Sequence, residues 1–148
     1  MANEKPYFLK ETPVERIFNR FFGFLVRFGI GAGYNYLLET RGRKTGQVYA
    51  TPVNLLEMNG HRYLVSARGE TGWARNARAA GSISLKKAGK SLNFKIRELA
   101  VDERPPMLKE FLDRYASQVQ RFYSVPKGSP LEAFREMASR APVFELLE

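Results

Sequence analysis

The sequence of 148 residues has no cysteine and a single histidine, His61. The first absence excludes disulfide frameworks, thiolate nucleophiles, iron–sulfur clusters and cysteine-built zinc sites. The second excludes a His-rich metal centre or a mechanism that pairs two imidazoles, so no metal site is expected. No Ser/His/Asp arrangement or paired-carboxylate motif stands out either. An enzyme built on this chain would take its hard chemistry from a bound cofactor. Long uncharged apolar runs are missing too. Arg20 and Arg27 interrupt the most apolar stretch, which is already shorter than the roughly 20 residues that cross a bilayer. Met1 to Lys10 is polar and shows no signal peptide, which gives a cytoplasmic expectation.

Acidic residues are scarce in the middle of the chain. Between Arg41 and Ala100 there are twelve Lys and Arg but only three acids, Glu57, Glu70 and Glu98. Twelve minus three is the whole net charge of +9, because the flanks hold twelve of each sign. The middle of the chain is therefore expected to meet something anionic: nucleic acid, an anionic membrane, or a phosphorylated or carboxylated cofactor.

What is present reads as one α+β domain of globular composition, 44% hydrophobic and 26% charged. Thr12-Pro13-Val14-Glu15 starts a helix with a capping hydroxyl, proline in the first turn and Glu three residues after the cap. Val14, Ile17, Phe18, Phe21, Leu25 and Phe28 then recur at helical spacing, and the glycines from Gly29 to Gly33 end the helix. Strands are expected over Tyr36 to Thr40, Val48 to Leu56, Arg62 to Ala67, Ser82 to Lys86 and Leu92 to Leu99. Tight turns fall at Arg43 to Gly46 and Asn59-Gly60, and one helix is inserted over Thr71 to Ala80. Pro105-Pro106 opens a helix to about Ser117, with Met107, Leu108, Phe111, Leu112 and Tyr115 on its buried face. Ser129-Pro130-Leu131-Glu132 repeats the capping pattern for a short helix to about Arg140, and Val143 to Leu147 is a last strand. The pattern predicts an N-terminal helix (1–33), a mostly antiparallel sheet or barrel (34–101), and C-terminal helices with a closing strand (102–148).

Two motifs stand out. Arg41-Gly42-Arg43-Lys44-Thr45-Gly46 puts three cations and a hydroxyl into a glycine-flanked turn, a concavity that suits phosphate or carboxylate or else a solvated hairpin end. It is not a Walker A loop, since Arg43 stands where that motif needs glycine before its lysine. Ser66-Ala67-Arg68-Gly69-Glu70-Thr71-Gly72-Trp73-Ala74-Arg75-Asn76 runs from a strand end through a glycine loop into a helix N-terminus, a place that attracts anions. Trp73, the only tryptophan, lies in the first turn of that helix and packs either into the core or against a planar ligand. Tyr115, Phe122 and Tyr123 line a pocket or pack the core, with core packing favoured for Tyr115. His61 is expected as an exposed turn residue.

In this order and spacing the motifs resemble the deazaflavin-dependent nitroreductase family, the nitroreductases and quinone reductases that use coenzyme F-420. The residues that carry the resemblance are Leu38 to Gly46, Thr51-Pro52-Val53, Tyr63 to Gly69, and Trp73 to Gly81. The resemblance implies a split β-barrel, FMN-binding-like in fold, and a cofactor with a planar deazaflavin, a phosphodiester and a polyglutamate tail. By position it implies Arg43, Lys44 and Thr45 on the phosphate and tail carboxylates, with Arg41 nearby. Ser66, Ala67, Arg68 and Gly69 would lie beside the ring, and Trp73, Arg75 and Asn76 at the ring and linker end. It implies hydride transfer to a small-molecule acceptor such as a quinone, nitroaromatic or enone. The accompanying proton comes from solvent or a side chain, with Ser66 and Tyr123 as the candidate catalytic donors. The alternatives are an FMN- or haem-binding barrel and, from the basic block with interleaved aromatics, a nucleic-acid module; the cofactor reading expects no nucleic acid. Residues 13–28 suit either peripheral contact with an anionic membrane or a cover over one barrel end, and a homodimer is a further expectation.

Overall fold

The computed structural model describes residues 35–147. The helix expected over 13–28 lies outside the described residues. Seven strands form one antiparallel sheet in the order β2-β1-β5-β6-β7-β4-β3. They are β1 (Asn35–Arg41), β2 (Val48–Asn54), β3 (Leu56–Met58), β4 (His61–Val65), β5 (Ser82–Lys87), β6 (Lys90–Glu98) and β7 (Val143–Leu147). The last strand thus enters the middle of the sheet, pairing Tyr63 with Glu145 on one side and Lys95 with Leu147 on the other.

The two edge strands, β2 and β3, are neighbours in sequence and only Leu55 separates them. Two residue steps span about 7 Å at most, so the sheet rolls until its edges meet. The sequence reading had this region as one strand from Val48 to Leu56; the break at Leu55 lets the chain leave one edge and join the other. The result is a half-barrel with two cores, sorted by the two-residue period of the strands. Leu38, Leu55, Leu64, Ile83, Leu85, Phe94 and Leu146 fill the inside. Leu56, Tyr63, Val65 and Val143 face outward, where helices cover them.

Three helices complete the described fold: α1 (Gly72–Ala80), α2 (Pro105–Val119) and the short α3 (Arg135–Ala138). Ala77 of α1 packs into the inner core. From α2, Leu108, Phe111, Leu112, Tyr115 and Val119 pack onto the outer core, and the Tyr115 hydroxyl donates to the Leu55 carbonyl at 2.7 Å. The cap expected at Ser129 does not form. Its hydroxyl donates back to the Pro126 carbonyl, and the chain passes through a 3-10 turn, Leu131–Phe134, before α3.

Two hairpins use the same left-handed turn geometry with different residues. Asn59 (φ 51°) and Gly60 (φ 80°) join β3 to β4, while Ala88 (φ 51°) and Gly89 (φ 77°) join β5 to β6. Asparagine tolerates this backbone region and alanine is strained in it. Ala88→Asn is therefore expected to stabilise the fold by up to about 1 kcal/mol, or about 3 °C in Tm, measured by thermal unfolding.

Candidate functional site

The β1–β2 turn, the facing part of β2 and the first turns of α1 enclose a cavity of about 300 Å³. Its walls are Thr40 at the end of β1, Gly42 to Thr45 in the turn, Tyr49 to Thr51 in β2, and Gly72, Trp73 and Asn76 in α1. Backbone bonds close the turn: Gly42 N–H donates to Gln47, Gly46 N–H donates to Gly42, and Gly46 takes φ 74°. A Cβ at Gly42 would stand 2.6 Å from Tyr49 Cε2 and 2.8 Å from Thr45 Oγ1, so glycine is required for this close approach.

The cations of the turn hold different positions. Arg41 donates to the Gly46 carbonyl at 2.8 Å and stays outside the cavity wall. Arg43 is fixed to α1: its backbone N–H and its Nη1 both donate to Asn76 Oδ1, at 3.2 and 2.7 Å. Lys44 is exposed and makes no ion pair or hydrogen bond among the described residues. Thr45 Oγ1 accepts from the Gln47 N–H and contacts the Tyr49 hydroxyl at 3.1 Å. Trp73 lines the cavity and packs against buried Phe144, with ring centroids 5.9 Å apart.

The loop into α1 is bonded to itself. Ser66 Oγ donates to the Gly69 carbonyl at 2.6 Å, which commits its only proton, so Thr71 is the donor in the 3.0 Å contact between the two hydroxyls. Thr71 Oγ1 in turn accepts from Ala74 N–H as the N-cap. Ala67 and Gly69 are buried in this loop, and Arg68 turns away to lie over the Phe122 ring, 5.7 Å from its centroid. Among the residues nominated from sequence, the cavity brings together Arg43, Lys44, Thr45, Trp73 and Asn76. Arg41, Ser66, Ala67, Arg68, Gly69 and Arg75 are not among its walls.

Tyr123 belongs to the outer core. Its hydroxyl donates to the Leu108 carbonyl at 2.8 Å, its ring meets Phe134, and burial pushes the phenol well above its usual range. Tyr115 is core, as expected. His61 is exposed but begins β4, and its Nδ1 contacts Glu145 at 2.8 Å. Two of the lysines in the basic block have cross-strand partners: Lys86 pairs with Glu39 at 2.9 Å, and Lys87 lies over the Tyr36 ring.

Sequence reasoning missed Thr40, Gly42, Tyr49, Ala50, Thr51 and Gly72 as wall residues. The signal was in the hairpin. Once Arg43 to Gly46 is the turn, antiparallel register sets Thr40 opposite Tyr49 and Leu38 opposite Thr51, so β2 must furnish a wall.

An ionic clamp holds α1 in place. The Arg78 guanidinium makes four bonds of 2.7–2.9 Å, two to Glu70 in the loop and two to Glu98 at the end of β6. Glu98 also meets buried Arg104, which donates to the Leu99 and Ala138 carbonyls. The bonds from Arg78 hold the Glu98 carboxyl below its usual 4.5. A depressed folded-state pKa contributes stability at neutral pH that is lost as pH falls below about 4.5. Arg78→Met is expected to cost about 1 kcal/mol at pH 7, a modest value because the guanidinium is 41% exposed. The same substitution should flatten the fall in stability between about pH 5 and 3, read by urea unfolding across that range.

Comparison with known proteins bears on the fold and the family. No curated protein matches the chain in sequence. Among solved structures, one described as a domain-swapped dimer is 20% identical over 91% of this chain and 99% of its own, with a TM-score of 0.54. An F420-H2 dependent reductase (FDR-A) is 23% identical over 77% of this chain and 94% of its own, TM-score 0.50. A NimC/NimA family protein from Clostridium acetobutylicum is 18% identical over 86% and 77%, TM-score 0.53. At these identities the likeness establishes the split-barrel fold. The family model for the F420H(2)-dependent quinone reductase matches residues 19–126 and so spans the cationic turn, the cavity and the α1 clamp. By that match the chain belongs to the F420H(2)-dependent quinone reductase family, whose cofactor is the reduced deazaflavin coenzyme F-420.

Proposed function

We propose that this F-420-dependent reductase delivers its reducing equivalents to a quinone, and that the cavity beside the cationic turn is where the coenzyme is held. The observation that carries the reading is the pairing of a planar indole wall with rim cations in a single cavity of about 300 Å³. That volume is at the low end for small-molecule sites and takes a ring system with its linker rather than a whole tailed coenzyme. Anionic groups then fall outside it, against Lys44 and Arg43. The donor set fits such a ligand: a guanidinium and an ammonium for phosphate and carboxylates, and Trp73 for the ring.

When bound, the reduced deazaflavin would supply the hydride that reduces the acceptor. The chain's own residues bind and orient. Lys44 neutralises the coenzyme's anions, Arg43 holds a fixed guanidinium beside them, and Trp73, backed by Phe144, fixes the plane against which the ring rests. This is catalysis by positioning, with the reactants held in register. The Ser66 and Tyr123 protons are already given to the Gly69 and Leu108 carbonyls, so the proton that completes reduction of the acceptor is assigned to solvent.

Titration of the purified protein with F-420, followed by deazaflavin fluorescence, should show saturable binding. Lys44→Ala should weaken it about tenfold, the scale of one lost charge-assisted contact. A folded wild-type protein that shows no binding would overturn the reading. Steady-state assays with reduced F-420 against quinones, nitroarenes and enones, following return of the oxidised deazaflavin absorbance, should give the highest kcat/KM with a quinone. A higher value for another class would reassign the acceptor and leave the coenzyme in place.

A further inference from the structure

We propose that the Thr40 hydroxyl is a direct ligand contact on the inner wall of the cavity, and that it holds an uncharged polar group of the coenzyme rather than its phosphate or tail. This rests on the F-420 reading above. Thr40 is on the same face of β1 as Leu38, which packs into the inner core, and it is only 3% exposed. The Thr40 hydroxyl makes no hydrogen bond among the described residues and is not among the buried atoms left unsatisfied, so it keeps accessible surface where Thr40 forms part of the cavity wall. Other buried hydroxyls nearby are all satisfied. Ser66 and Thr71 bond to each other, to the Gly69 carbonyl and to the Ala74 N–H. Exposed Tyr49, directly opposite Thr40 across the β1–β2 ladder, places its hydroxyl 3.1 Å from Thr45 Oγ1. The Thr40 hydroxyl is left to whatever fills the cavity.

Charge indicates which part of the ligand it meets. The cations Arg43 and Lys44 stand on the exposed turn, whereas Thr40 is uncharged and only 3% exposed. A phosphate stripped of water needs charge to compensate it. A hydroxyl both donates and accepts, and so suits a carbonyl, ring N–H or hydroxyl of the ligand's uncharged portion. Asn76 adds a donor on the opposite wall. With Oδ1 taken by Arg43, its Nδ2 hydrogens have no partner among the described residues, and the residue is 6% exposed.

The test uses Thr40→Val, which keeps the shape and removes the hydroxyl, and Thr40→Ser, which keeps the hydroxyl. Each is titrated by fluorescence with F-420 and with the deazaflavin ring compound lacking phosphate and tail, and each is melted without ligand. Thr40→Val should weaken both ligands by about 3- to 10-fold, the scale of one neutral hydrogen bond, while Thr40→Ser stays within about twofold of wild type. Without ligand, Thr40→Val should melt no lower than wild type, because no protein bond is lost. Lys44→Ala should weaken F-420 alone. Unchanged binding of both ligands by Thr40→Val would overturn the proposal and leave the coenzyme reading standing. So would a loss confined to F-420, which would place the hydroxyl at the phosphate, or a lowered ligand-free Tm, which would show a bond within the protein. A wild-type protein that binds neither ligand would overturn both.

Discussion

The half-barrel depends on one residue. Leu55 alone takes the chain from one edge of the seven-stranded sheet to the other, and a span of one residue obliges the sheet to close. It also separates the two cores, since Leu55 packs inside and Leu56 packs outside under α2. An inserted residue here would reverse the facing of β3 and of everything registered on it. The structure secures the passage with the Tyr115 hydroxyl, which satisfies the Leu55 carbonyl where the ladder is interrupted. α2 therefore does more than cover the sheet: it supplies the hydrogen bond that the change of edge leaves unmade.

On that frame the site is assembled by contacts that reach across elements. Asn76 joins α1 to the cationic turn, and Arg78 joins α1 to the loop before it and to the end of β6. The helix carrying Trp73 is thus held on the cavity side by one amide and on the far side by one guanidinium. Neither contact involves neighbours in sequence; Arg43 and Asn76 are 33 positions apart. The loop from Ser66 to Thr71 satisfies its own hydroxyls, and its contribution to the site is to place Thr71 as the cap of the helix. Positive charge divides in the same way. Arg78, Arg97 and Arg104 are spent on carboxylates or carbonyls, which leaves the turn as the place where cations meet solvent and cavity together.

Much of this was legible in the sequence. Most strand positions, the Asn59-Gly60 hairpin, the helix from about Thr71 and the closing strand at Val143 follow from local pattern, and the structure has each. Arg43, Lys44, Trp73 and Asn76 were legible as a group because their motifs stand in a fixed order. What local pattern does not carry is pairing. Nothing in Val48 to Leu56 marks Leu55 as a change of edge, because apolar alternation reads the same on either side of it. Ser66 and Tyr123 are polar residues in suggestive places, and only tertiary contact reveals that backbone carbonyls already take their protons. Ser129 has the cap's composition without its geometry, since the Pro126 carbonyl competes for the hydroxyl. Ala88 gave no turn signal because its residue type disagrees with its backbone.

The bond from Arg43 to Asn76 has a consequence for the energetics of recognition. A free arginine at a binding site gives up rotamer freedom when it meets an anion, and that loss subtracts from affinity. Here the loss has been taken during folding, because the guanidinium and its own amide are both anchored to one buried oxygen. Lys44, one residue on, is exposed and has no partner among the described residues. On the proposed coenzyme reading, the turn places a preorganised charge beside an adaptable one, the first to define where an anion sits and the second to follow an anion whose position varies, as the successive carboxylates of a flexible tail would require.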